Sequence, residues 1–517
     1  MTLTLPEHRR APHAGDRRAD GAAPEGGPQG PDRQDRPGAE APAGVRTGGG
    51  VGVTGGARAA ARVPWRRLAP VAPALATVLV LCAPVQTGDV NTSGRITPAD
   101  AASMVLVVWC LVRLLRGRGG RLTPAAATVL GAPAVAFAVA TAASADPHTS
   151  LTGFVRYMQI FVLVPGAVLL LLRGTRDFRL LSWSVILLAL VQGTVGVVQN
   201  VTGTGASYMG QDVRAVGTFG PLDVMGMSTV VSLGLVTAFA LALGLGCAGG
   251  GPRRQRTAAL CCAGALVAPL VLSYSRGAWI ATAAACAVVL LLAGVRRAVL
   301  VLLALAAASV VLVAGFGVGS AMVGERLTSI VDVGSAPDRS VTDRYSLWSA
   351  AAGMWREAPA TGVGIKNFPA HRDGHAALGL SSGSDTAGAG MQFQKEPLLS
   401  PHNMYLLVLS EQGLIGMTAL AGGGSVLLVR GLRRLHTARR PAAADGARGA
   451  ADAPGARDCG LVATGLLVWQ GVDFLYADIG GPSTVLTAVV LGAVHWWALA
   501  PAPSRTTATD EAEAPAR

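Results

Sequence analysis

Charge is what this 517-residue sequence has least of: only 14% of its residues are Asp, Glu, Lys or Arg, against about 25% in soluble domains. The shortage excludes a water-facing surface over most of the chain. Lysine is nearly missing, with Lys366 and Lys395 alone. The formal net charge is +13, yet the arginines are scattered through short loops and the N-terminal region. No basic recognition helix gathers them, which argues against nucleic acid as a partner. The cysteines Cys82, Cys110, Cys247, Cys261, Cys262, Cys286 and Cys459 lie within or at the ends of apolar segments, and no C-x-x-C occurs. Small hydrophobes inside helices account for them better than disulfides or metal ligands.

What is present is apolar sequence, with a mean hydropathy of +0.45 and several runs long enough to cross a hydrocarbon core of about 30 Å as a helix. The expected fold is all-α, a polytopic integral membrane protein of about twelve transmembrane helices with one large extracytoplasmic loop. Residues 1–64 are rich in Gly, Pro, Ala, Arg and Asp. They hold too little apolar surface to offset ordering entropy, so a disordered cytoplasmic tail is expected, with no signal-peptide core near Met1. Nine spans then occupy 65–319: 68–85, 99–115, 123–143, 151–172, 179–201, 222–247, 257–274, 277–294 and 298–319. The external loop takes 320–401. Three further spans follow within 402–500, at 402–430, 459–476 and 482–500, before a second tail at 501–517. The stretch 257–294 would be over about 50 Å long as one helix at about 1.5 Å per residue. It must fold back, and Ser273-Tyr274-Ser275-Arg276 is the natural corner.

The arginines set the orientation. Arg113, Arg116, Arg118 and Arg121 follow the second span, and Arg173, Arg176 and Arg179 the fourth. Arg253, Arg254 and Arg256 follow the sixth, Arg296 and Arg297 the eighth, and Arg430, Arg433, Arg434, Arg439 and Arg440 the tenth. Under the positive-inside rule these five loops are cytoplasmic, as are both termini. The loop at 320–401 is then outside.

The unusual polar residues gather on that outer side. Arg214 lies in Arg214-Ala-Val-Gly217-Thr-Phe-Gly-Pro221, Arg276 at the outer corner, and Arg344 in Arg344-Tyr-Ser-Leu-Trp348. His402 and Asn403 stand where the chain returns to the membrane. Arginine at such depths is costly unless it is paired or serves an anion, and its planar fork of donors suits phosphate oxygens. Plainer readings stand beside these. Arg276 can snorkel beside Trp279, Arg214 can be an ordinary loop residue, and His402 a helix-start residue bonded to backbone. Asn403 reads first as a helix cap. Glu411, nine residues after His402, turns roughly 180° away from it on an ideal helix unless the chain breaks near Gly413. Asp473 and Asp478 are weaker candidates. Trp348 and Trp355 fit either an interfacial helix or one that helps close a site.

Taken in order, Val271-Leu-Ser-Tyr-Ser-Arg-Gly-Ala-Trp-Ile280, Arg344-Tyr-Ser-Leu-Trp348, Pro359-Ala-Thr-Gly-Val-Gly-Ile-Lys-Asn-Phe368, His402-Asn-Met-Tyr-Leu406 and Glu411-Gln-Gly-Leu-Ile-Gly416 resemble the core of the O-antigen ligase and polymerase family of bacterial membrane glycosyltransferases. The resemblance covers about 205–430. It implies transfer of a glycan from an undecaprenyl-diphosphate carrier to a hydroxyl of a glycan, lipid or protein acceptor at the outer face of the cell membrane. By their match to the family's positions, Arg214 and Arg276 would bind the diphosphate and His402 would be the catalytic residue. Arg344, Asn403 and Glu411 would support them. Gly362-Val-Gly364 lacks the Gly-Lys-Ser/Thr ending of a nucleotide P-loop. No Asp-x-Asp or His/Cys cluster lies outside, so metal-independent transfer with no cofactor is expected, with membrane lipid as surroundings. Ligase and polymerase share this pattern and stay undivided. A lipid-linked-glycan flippase or exporter predicts paired charges near the midplane, to which only Arg156 and Gln159 come close. A non-catalytic scaffold is the remaining class.

Overall fold

A computed structural model describes residues 69–84, 97–208, 211–223, 225–247, 253–296, 298–300, 303, 339–376, 380, 384–387, 394–396, 398–438 and 456–501. The expected tail at 1–64, nearly all of the ninth segment (298–319), much of the loop 320–401 and the tail beyond 501 lie outside them.

The described chain is a helical bundle. Its helices are α1 (Ala72–Val80), α2 (Pro98–Leu115), α3 (Pro124–Ala142), α4 (Pro147–Leu171), α5 (Thr175–Thr202), α6 (Gly226–Cys247), α7 (Arg253–Val271), α8 (Arg276–Ala293), α9 (Arg339–Glu357), α10 (Phe368–His375), α11 (Met404–Thr437), α12 (Ala456–Asp473) and α13 (Thr484–Leu499). Seven of them, α2 to α6, α8 and α11, are long and apolar enough to cross a membrane. Helix α7 opens with three arginines in four residues, α12 holds three charged residues, and α13 has 16 residues. A count of twelve spans therefore exceeds what length and hydropathy alone carry among the described residues. The outer faces are apolar: Val105 is 63% exposed and Leu115 79%, a surface suited to lipid.

One small sheet qualifies the all-α expectation. Strands β1 (Ala206–Tyr208) and β2 (Gln211–Arg214) form a hairpin, β3 (Ser384–Ala387) and β4 (Gln394–Glu396) another, and the antiparallel order is β2-β1-β3-β4. Ser207 pairs with Ala387 and Tyr208 with Thr386. The connection carrying Arg214 is thus joined by backbone hydrogen bonds to the connection that precedes His402. No apolar alternation marks these short strands, and Ser207 pairs with a residue 180 positions away, beyond the reach of local sequence patterning.

Helix ends meet in two sets. At one end Gly120 donates to the Leu170 carbonyl (3.2 Å), Thr123 Oγ1 to that of Leu499 (3.2 Å) and Arg434 to that of Trp497 (2.8 Å). Arg179 forks onto Asp458 with 2.7 and 3.2 Å bonds, the paired geometry a buried carboxylate needs. The other end holds the α7–α8 corner, the start of α11 and the end of α12. There Arg156 of α4 pairs with Asp100 of α2 and donates to the Gly481 carbonyl (3.1 Å), while Gln159 Nε2 reaches Ser103 (2.8 Å). The midplane-seeking pair of the transporter reading is therefore a clamp between α2, α4 and the α12–α13 connection. It sits beside a π turn at Gln159–Leu163.

Candidate active site

The α7–α8 corner is tight. Helix α7 stops at Val271, and Ser273 Oγ and the Trp279 indole both donate to the Leu270 carbonyl (2.6 and 2.8 Å). Ser275 caps α8, which begins at Arg276. Arg276 is half-buried and engaged by a partner. Next to it, Gly277 lies against Tyr476, where a Cβ would stand 3.0 Å from the Tyr476 Cβ. Arg276 therefore stands beside the α12–α13 connection.

Arg214 closes β2, opposite Ala206. Its neighbour Ala215 donates to the Leu272 carbonyl (3.4 Å), so its backbone runs alongside the corner. Two glutamines of α5 hold this run. Gln199 Oε1 accepts from Val216 and Gly217 (3.1 and 2.8 Å), and Gln192 brackets Thr218 through Oε1 and Nε2 (2.9 and 2.7 Å).

His402 occupies the connection that precedes α11, outside the helix. Its backbone is left-handed (φ 48°), as are those of Tyr274 (49°) and Lys366 (65°). These are the non-glycine residues with positive φ among the described residues. Such conformations persist where the surroundings over-determine them, and they cluster at functional sites. Burial pushes the His402 imidazole below its ordinary value; the Asp478 charge opposes that shift and the Arg344 charge adds to it. A neutral ring with a carboxylate close by can accept a proton.

The support around His402 is specific. Trp348 of α9 donates to the Pro401 carbonyl (2.9 Å), tying α9 to the residue before His402. Leu347, Ala350, Ala351 and Met354 form the buried face of α9, at the i, i+3, i+4, i+7 spacing of one helix side. Asn403 Oδ1 accepts from Leu406 (3.1 Å), capping α11, and its Nδ2 donates to the Leu475 carbonyl (3.2 Å). Met404 donates to the carbonyls of Phe474 and Ala477 (2.9 and 3.1 Å). The cap thus also anchors the end of α12.

Glu411 does other work. Helix α11 breaks at Gly413 (φ 61°, ψ −159°), but the break comes after Glu411 and does not swing it toward His402. The segment 359–368 enters the break instead. Val363 and Gly364 donate to the Ser410 and Glu411 carbonyls (2.9 and 3.0 Å), while Leu414 and Ile415 donate to those of Pro359 and Ala360 (2.9 and 3.2 Å). The carboxylate of Glu411 accepts from the Phe368 amide (3.1 Å) and meets that of Lys366. Asn367 completes the seam through Ser144 (2.7 Å) and Ser150 (2.9 Å). Replacing Glu411 with Leu strands buried amides, so a loss of about 1–3 kcal/mol per unsatisfied group is expected. Glu411→Gln, which keeps an acceptor, should unfold later on heating than Glu411→Leu. Equal thermal stability of the two variants, with transfer lost in both, would instead give the carboxylate a chemical role.

Asp478, Tyr157, Gln412 and Gln470 are the polar residues that motif reading passed over or weighed lightly. The isolated glutamines inside apolar helices were the available signal. Among the described residues no three His, Cys, Asp or Glu converge as a metal-ligand group.

Seven membrane-length helices and a buried polar site at one end of the bundle define a helical membrane protein. Within it, residues 260–421 match the family described as O-antigen ligase. The match covers less than half of the chain and makes that part similar to the O-antigen ligase family. It takes in Arg276, Arg344, His402, Asn403 and Glu411 and stops short of Arg214. No curated protein matches the chain.

Proposed function

We propose that this protein transfers a glycan from an undecaprenyl-diphosphate carrier to an acceptor hydroxyl at the outer face of the cell membrane. What supports the reading is His402, left-handed just before α11 and acted on by the charges of Arg344 and Asp478, with Arg276 at the adjoining corner. The acceptor oxygen attacks the anomeric carbon and the bond from that carbon to the diphosphate oxygen breaks. His402 takes the acceptor proton and later passes it to solvent. The carrier diphosphate leaves with the bonding electron pair. Guanidinium groups already in place stabilise the charge it gains. Arg276 and Arg214 fill that role, and Arg344 helps set the charge around the base. No metal step is invoked, so chelator should leave the rate unchanged. The membrane arrangement belongs to the same proposal: about twelve spans, both termini cytoplasmic, the loop 320–401 and the site outside, and 1–64 and 501–517 as tails.

Arg276→Ala is expected to lower transfer by about 10²–10³-fold, the range for losing one preorganised donor. Arg276→Lys should recover only part of it, since an ammonium lacks the fork. Radiolabelled glycan transfer in membrane vesicles measures both. Full activity of Arg276→Ala would remove the corner from the site. Single-step ligation and chain extension fit this geometry equally, and the length distribution of product glycans separates them.

A further inference from the structure

A cavity of about 440 Å³ lies between α3, α4, α11, α12 and α13, within the size range of small-ligand pockets. Phe137, Val408, Leu427, Leu467 and Phe474 give it apolar walls, and no Lys, Arg, Asp or Glu lines it. One end differs. Tyr157, Gln412 and Gln470, exposed by 4%, 1% and 3%, line the cavity. Gln470 Oε1 has no hydrogen-bond partner, and the Tyr157 hydroxyl and the Gln412 amide have none of good geometry beyond their approach to one another. Other polar wall atoms are occupied: the Tyr405 hydroxyl donates to the Gly471 carbonyl (2.7 Å), and His495 Nδ1 is bonded to that of Leu491 (2.6 Å).

The unsatisfied end faces the site. Gln470 stands three residues before the end of α12, Tyr405 lies in the first turn of α11, and Gln412 precedes the break. The Asp478 carboxylate, one oxygen of which is also buried without a partner, acts electrostatically on both Tyr157 and His402. The opposite end reaches Leu428 and His495. Midway, α11 reads Ala421-Gly-Gly-Gly-Ser425. Ala421, Gly422 and Ser425 are exposed, and a Cβ at Gly422 or Gly424 would meet nothing within 4 Å. This is a side opening toward lipid.

We propose that the cavity seats a neutral lipid that enters sideways past Gly422–Gly424, with its chain among the apolar walls and an uncharged, hydroxyl-bearing head on Tyr157, Gln412 and Gln470. A phosphate head has no cation to meet in this cavity. A bare isoprenoid chain would leave Gln470 Oε1 and the poorly paired Tyr157 and Gln412 dry, where buried polar groups demand partners. A hydroxyl both donates and accepts, and so satisfies amide and phenol together. The head then lies on the His402 side. Reading the lipid as the transfer acceptor rests on the proposed function; its binding does not.

The full-length chain in liposomes, without any glycan donor, is irradiated with a monoacylglycerol carrying a diazirine in its acyl chain. Expected are crosslinks on peptides of α11 and α12 that line the cavity, competed by unlabelled monoacylglycerol. Gly424→Trp, placed where space is open, should abolish them at unchanged thermal stability. Gln412→Leu should weaken labelling about tenfold, the worth of one hydrogen bond of ordinary strength. If Gln412→Leu does not fold, Gly424→Trp alone decides. Labelling that ignores Gly424→Trp, or labelling of the same peptides by a diazirine polyprenyl phosphate that displaces the monoacylglycerol, overturns the proposal. Because no donor is present, failed glycan transfer leaves this result untouched.

Discussion

His402→Ala is expected to reduce glycan transfer by about 10²–10⁴-fold, the usual worth of a positioned general base, while the protein inserts at wild-type levels. The carrier-linked glycan should accumulate at the outer leaflet, where mass spectrometry of extracted lipids detects it. The size of the effect follows from placement: the ring is half-buried and feels the charges of Asp478 and Arg344. The pH profile carries a second signature. Burial lowers the imidazole pKa, so the ring stays neutral and active below the ordinary histidine value of about 6.5. Activity should fall only as pH drops through that lowered value and the ring gains its proton. Asp478→Asn removes a charge that favours the protonated ring, so it should shift this acid limb to still lower pH. An acid limb at the ordinary value, unmoved in Asp478→Asn, would separate His402 from the rate.

Gly413→Ala should be among the most damaging small substitutions in the described bundle. Gly413 sits at φ 61°, ψ −159°, a region that is essentially glycine-only and costs other residues about 1–3 kcal/mol. A Cβ there would also collide with the Ala360 carbonyl, and that carbonyl bonds to Ile415. The methyl therefore expels 359–364 from the break, and the Ser410 and Glu411 carbonyls lose their donors together. A clear fall in the melting temperature is expected, with loss of transfer even at temperatures where the protein stays folded, because the same seam carries Lys366 and ties α9, which holds Pro401 through Trp348, to α11. Gly264→Ala, where a Cβ meets nothing within 4 Å, is the matched control. Wild-type melting of Gly413→Ala would mean that the seam is dispensable.

Both predictions concern features that the sequence showed only in outline. The fold-back at Arg276 was legible, because a helix over 257–294 is too long for a bilayer and a polar tetrapeptide offers one corner. Asn403 as a cap was legible from its place before an apolar run. The break at Gly413 was visible as a condition for Glu411, but its use was not: the segment 359–368 fills the gap, and Glu411 binds that segment. A fit of this kind depends on backbone groups, which carry no sequence signature. The sheet joining Arg214's hairpin to 384–396 was hidden for a similar reason, as its strands are short, polar and remote. Arg156 and Gln159 came nearest to the polar residues that a transport path would need, and the structure pairs them with Asp100 and Ser103. Hydropathy overstated what could be counted. Segments such as 482–500 are apolar, yet the helix there has 16 residues, and 298–319 lies almost wholly outside the described residues.

In the proposed mechanism the bond between glycan and carrier diphosphate breaks as His402 takes the acceptor proton. The direct measurement places the purified chain in liposomes with undecaprenyl-diphosphate-linked glycan and an acceptor, and quantifies undecaprenyl diphosphate by mass spectrometry. The account predicts one undecaprenyl diphosphate released per glycan transferred, with release lost in His402→Ala and unchanged by chelator. Passage of the glycan across the bilayer with its diphosphate bond intact, at equal rates in wild type and His402→Ala, would contradict it.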